Sequence, residues 1–180
     1  MLNNWRVRKY NGLFLLLLWV AVSCSRKQTE LVALMANPVN GLVQVKQVNH
    51  RTLMIQFMPA NSMLGNQKDG EQGFYKIKFT LKTNERFTGN TMMQYMDFGM
   101  SNNFYAVQGS DTLICSVCER IPAISQAGYQ YLALFNKPVG DDGLQNDLTI
   151  TIADTVAGFG TTAFKIKRQV LKEMETLTQN

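Results

Sequence analysis

The run FYKIKFTLK, residues 74–82, alternates without a break: Tyr75, Ile77, Phe79 and Leu81 fall on one side, and Lys76, Lys78, Thr80 and Lys82 on the other. A period of two residues belongs to a β-strand, with one face buried and one face wet. The flanking sequence repeats the signal. GLVQVKQV (41–48) and RTLMIQFM (51–58) are apolar and rich in branched residues, and Asn49 and His50 between them form a connection of hairpin length. These two segments are expected to pair as neighbours. Residues 61–73 carry glycines and no apolar period, which predicts a loop.

Further strands are expected at 92–98, 104–108, 112–117, 129–136, 148–153 and 162–167, making nine short strands in all. No long helical period appears before RQVLKEMETL (168–177), where a short C-terminal helix is expected from about Gln169. Such spacing points to an all-β antiparallel sandwich or barrel rather than to alternating strand and helix units. Residues 25–30 read as a tether, and Leu31–Met35 as either a first strand or one helical turn.

In IPAISQAGYQYLALF (121–135) a loop leads into Tyr129, with Tyr131, Ala133 and Phe135 on one face. This resembles the entry to strand F of immunoglobulin and fibronectin type III domains, where a tyrosine bonds back to upstream backbone. The resemblance implies an immunoglobulin-like β-sandwich over residues 38–180, with Tyr129 as the corner tyrosine.

The N-terminus has the layout of a secretory signal. Arg6, Arg8 and Lys9 precede an apolar run from Leu13 to Val22, and the small residues Ala21 and Ser23 lead to Cys24. The run falls short of the roughly 18 apolar residues of a spanning helix. This pattern resembles the lipobox of bacterial lipoproteins, with Ala21 at a position where that family prefers Leu. The resemblance implies cleavage between Ser23 and Cys24, a lipid on Cys24, a signal peptide over residues 1–23 and a tether over 24–37. It further implies anchoring to the outer membrane, on its periplasmic or surface side. More than one acyl chain gives stable anchoring.

Formal net charge is +5, from 18 basic and 13 acidic residues. Without the three cations that precede the apolar run, 15 basic residues remain against 13 acidic, a balance of +2. That excludes a strongly basic nucleic-acid-binding surface.

Candidate chemistry is sparse. Cys115 and Cys118 form CSVC after a strand-like run and shortly before Pro122, without the helix that a thioredoxin-like site needs. Strand positions three apart face opposite sides, so the pair reads as buried thiols or, if the chain turns, a local disulfide. Asp141, Asp142, Asn146 and Asp147 crowd oxygen ligands into one loop, as calcium requires, although the same residues are ordinary in turns. Met92, Met93, Met96 and Met100 could offer soft ligands to Cu(I), but strand alternation makes most of them a core stripe. The single histidine, His50, lies in the predicted turn, and no Gly-x-Ser-x-Gly nucleophile motif appears. Gly158-Phe159-Gly160 reads as a hairpin bend.

The expectation is a non-catalytic binding or assembly component of the bacterial envelope, such as a secretion or surface complex. It would be held to the membrane by lipid, with an envelope protein as partner and no cofactor beyond the lipid. Alternatives are a calcium- or carbohydrate-dependent binding module and an envelope enzyme.

Overall fold

The computed structural model describes residues 26–59, 73–83, 87–122, 128–138 and 145–178. The signal segment, Ser23, Cys24 and the pair Asp141 and Asp142 lie outside the described residues. A helix, α1, spans 26–36, which settles the reading of Leu31–Met35 and makes the expected tether helical. The strands are β1 (Val43–Val48), β2 (Arg51–Met58), β3 (Phe74–Thr83), β4 (Phe104–Gln108), β5 (Asp111–Ile121), β6 (Tyr129–Asn136), β7 (Leu148–Ala153) and β8 (Thr161–Ile166). Helix α2 (Asn90–Phe98) lies between β3 and β4, and α3 (Arg168–Thr178) follows β8. Where a strand was expected at 92–98, the chain forms α2 and sends Met96 and Met100 into the core.

All strand pairs are antiparallel, and the eight strands form one hydrogen-bonded order, β1-β2-β3-β6-β5-β4-β7-β8. The all-β antiparallel expectation holds. An immunoglobulin-like sandwich would divide the strands between two sheets; here β5 joins the halves by pairing with β4 through its first residues and with β6 through the rest. The sheet curls almost into a barrel.

The inner face is filled by Leu53, Ile55, Phe57, Ile77, Phe79, Tyr131, Ala133, Phe135, Ile150, Ile152 and Phe164, all buried. An eight-stranded barrel is just wide enough for its side chains to fill it. Each end is stopped by a helix. Tyr131 donates from its hydroxyl to the Met96 carbonyl at 2.7 Å, fastening α2. At the other end Val170, Leu171 and Met174 of α3 are buried, and Lys137 pairs with Glu175 at 2.6 Å. The tyrosine that bonds to backbone is thus Tyr131, while the Tyr129 ring lies against Phe87 and the Arg120 guanidinium. The outer face of β3 is also less wet than its lysines suggest. Lys76 and Thr80 are buried, because β3 is flanked by β2 and β6 and Lys76 lies between Met58 and Leu134. Its stem covers apolar surface.

The first and last strands meet at a seam. In β1, Gln44 lies opposite Ile55 and Lys46 opposite Leu53, so the polar residues share the core face and Val45 is exposed. The Gln44 Nε2 donates to the Lys165 carbonyl of β8 at 2.8 Å and to the Gly41 carbonyl at 2.7 Å. The Lys46 ammonium donates to the Ala163 carbonyl and sits 5.2 Å from the Phe164 ring centre. Above them, Asn49 and Arg51 both donate to the Gly158 carbonyl, at 3.2 and 3.3 Å. Side chains here satisfy carbonyls that a strand ladder would otherwise occupy.

Candidate functional site

The structure brings Cys115 and Cys118 together. Between them the β5–β6 register slips: Cys115 lies opposite Phe135, Val117 opposite Leu134, and Cys118 opposite Ala133. Ser116 is the extra residue of this β-bulge, and its hydroxyl donates to the Leu134 carbonyl at 3.1 Å. The slip restores both cysteines to the inner face, which corrects the expectation that they point apart. Both thiols are free and half-buried. Cys115 Sγ donates to the Val117 carbonyl at 3.0 Å. A hydrogen bond from the Cys118 thiol lowers the pKa of Cys115, and the same contact with burial raises that of Cys118. The contact thus favours the thiolate at Cys115 over that at Cys118.

Of the four residues expected to offer oxygen ligands to calcium, Asn146 and Asp147 are among the described residues. The Asp147 Oδ1 accepts the Arg168 backbone N–H at 2.9 Å, and its Oδ2 pairs with Lys165 at 2.9 Å. It thereby caps α3 from another segment, and the Arg168 N–H followed by Lys165 holds its carboxyl below the usual range. Asn146 is exposed, and its carbonyl accepts from Gln108 Nε2 at 3.2 Å. Among the described residues no three His, Cys, Asp or Glu side chains gather in metal-ligating distance. Of the methionine run, Met96 and Met100 are core, Met92 is half-buried and Met93 is exposed. His50 occupies the β1–β2 turn, where Asn49 has φ of 56°. Gly158-Phe159-Gly160 forms the β7–β8 bend, as expected.

A further polar centre lies at the α2 end. Asp154 is 2 % exposed. Its Oδ1 accepts from the Tyr95 hydroxyl at 2.5 Å, from Val156 N at 3.2 Å and from Ala157 N at 2.8 Å, and its Oδ2 accepts from Phe159 N at 3.1 Å. Asn103 also donates to the Tyr95 hydroxyl. Burial, then Asp154, raises the Tyr95 pKa far above its ordinary value. Each oxygen of the Asp154 carboxylate is engaged, so this centre ties α2 to the β7–β8 bend rather than presenting a reactive group. An aspartate at a strand end, two, three and five residues before its backbone donors, was the available signal.

Other surface features are modest. A water-sized hollow of about 20 Å³ lies under α3, lined by Phe57, Tyr75, Lys137, Leu171, Met174 and Glu175. On the outer face of the sheet, Tyr105 and Ile114 stand opposite each other across β4 and β5, with Ile114 75 % exposed. No helix among the described residues is long and apolar enough to cross a membrane.

No protein-family model and no curated protein matches the chain. Two solved structures are similar at low identity. One is a protein of unknown function from Burkholderia pseudomallei, 11 % identical, with a TM-score of 0.39, covering 88 % of this chain and 93 % of that one. The other is a Staphylococcus aureus protein provisionally called a lipoprotein, 7 % identical, with a TM-score of 0.29, covering 71 % of this chain and 94 % of that one.

Proposed function

We propose that this chain is a lipid-anchored component of the bacterial envelope that binds or assembles with another envelope protein and performs no catalysis. The observation that supports it most is the relation of α1 to the lipobox-like cysteine. Helix 26–36 begins two residues after Cys24, keeps residues 26–30 exposed and buries Leu34 against the body. The Asn40 side chain holds the end of this helix by donating to the Leu34 carbonyl at 3.0 Å. A lipid on Cys24 would therefore connect to the sheet through a packed helix about 16 Å long, holding the domain close to the bilayer. The inner face of the sheet is filled, so contacts with a partner fall to strand edges, outer face and loops. At the seam edge, β1 could accept an added strand.

The test is photo-crosslinking in native membranes from probes at Val45, on the seam strand, and Ile114, on the opposite outer face. The expected result is a discrete envelope protein captured at one or both positions. Recovery of uncrosslinked protein alone from both would defeat the reading.

A further inference from the structure

The bulge in β5 gives the cysteine pair a chemistry that its spacing in sequence conceals. In a regular strand, residues three apart are separated by about 10 Å, beyond the reach of a disulfide, whose Cα atoms lie at most about 6.8 Å apart. Here the pair lies opposite Phe135 and Ala133, which are two residues apart on β6. Cys115 and Cys118 are thereby drawn toward a separation of about 6.6 Å, the two-residue rise of a strand, at the outer margin of disulfide geometry. Ser116, tied to the Leu134 carbonyl at 3.1 Å, and the Cys115 Sγ, tied to the Val117 carbonyl at 3.0 Å, fix the bulge from both sides. The two thiols are half-buried, so small solutes reach them, and no other cysteine is described nearby.

We propose that Cys115 and Cys118 form a reversible dithiol–disulfide pair, with Cys115 as the attacking thiol and Cys118 as the resolving one. The oxidant is a low-molecular-weight disulfide. Cys115 thiolate attacks one sulfur of that disulfide, forming a mixed disulfide and expelling the first small thiolate. Cys118 gives its proton to solvent and attacks Cys115 Sγ, forming the intramolecular bond and expelling the second. Two protein thiols are oxidised, and one small disulfide is reduced to two thiols. The lowered pKa of Cys115 agrees with its role as attacker. A disulfide at the margin of allowed geometry is strained and readily reduced. It would act as a labile bond at the point where β5 passes from β4 to β6, rather than as a permanent staple.

The full chain is incubated with oxidised glutathione, alkylated and mapped by peptide mass, which separates the 115–118 peptide from Cys24. The expected product is that peptide lighter by two hydrogens and resistant to alkylation, with dithiothreitol restoring both thiols. Cys118→Ser is expected to stop at one glutathione on Cys115, and Cys115→Ser to take up glutathione many-fold more slowly. Two glutathiones on the wild-type peptide, or two thiols that remain alkylatable after oxidation, would overturn the proposal. The wild-type measurement stands even if a variant fails to fold, and none of these outcomes depends on membrane attachment.

Discussion

The two sides of the curled sheet are closed by different means. Across β2, β3 and β6 the backbone ladder is continuous, and the inner face carries Leu53, Ile55, Ile77, Phe79, Tyr131 and Ala133 with essentially no exposure. Across β8 and β1 the inner face of the edge strand is Gln44 and Lys46, and their side chains replace the ladder. Hydrophobic burial scales with the area withdrawn from water, whereas a hydrogen bond gained in folding replaces one made to water and nets far less. The laddered side therefore carries most of the stability. At the seam the Gln44 and Lys46 side chains satisfy the Lys165 and Ala163 carbonyls and add little apolar burial of their own.

That contrast can be broken in order of size. Phe79→Ala, which removes a ring packed near Phe104, Tyr131 and Phe159, is expected to cost about 3–5 kcal/mol in denaturant unfolding. Asp154→Ala strands the N–H groups of Val156, Ala157 and Phe159 and the Tyr95 hydroxyl. It is expected to cost about 3 kcal/mol and to raise hydrogen exchange first in α2 and the β7–β8 bend. Gln44→Ala combined with Lys46→Ala is expected to cost only about 1 kcal/mol, with faster exchange confined to β1 and β8. A loss equal to that of Phe79→Ala would mean that the seam is a structural closure of the same rank.

The smallest effect belongs to Asp147, which precedes β7 and pairs with Lys165 of β8. Its carboxyl titrates below its ordinary value in the folded protein, so its contribution is complete above that ordinary value, about 4, and disappears as pH falls through the lower folded one. Asp147→Asn should flatten this acid limb of the stability profile, with a slight loss of stability at neutral pH and none at the acid end.

Period-two alternation made β2, β3, β6 and β7 legible, because their inner residues are apolar and, except for Ala133, large. The same rule failed at 92–98, where methionines four apart, Met92, Met96 and Met100, suit either period. The absence of any β-branched residue in MMQYMDF and the good helix propensity of Met favoured the helix that forms. In β1 the valines suggest one inward face, yet pairing with β2 puts Gln44 and Lys46 on the side of Ile55 and Leu53 and leaves Val45 exposed, a consequence of register that no single strand displays. The cysteine pair was hidden for the same reason. Its bulge exists only as a mismatch between β5 and β6, and spacing within one strand predicted the opposite orientation. Asp154 was visible as a residue but not as a centre, since its Tyr95 partner is 59 positions away.

The lipid anchor that α1 would hold against the body is open to mass spectrometry of the N-terminal peptide of the protein extracted from its native membranes. The expected peptide begins at Cys24, with residues 1–23 removed and the cysteine carrying a diacylglyceryl group. A peptide that retains residues 1–23, or one with an unmodified Cys24, would contradict it.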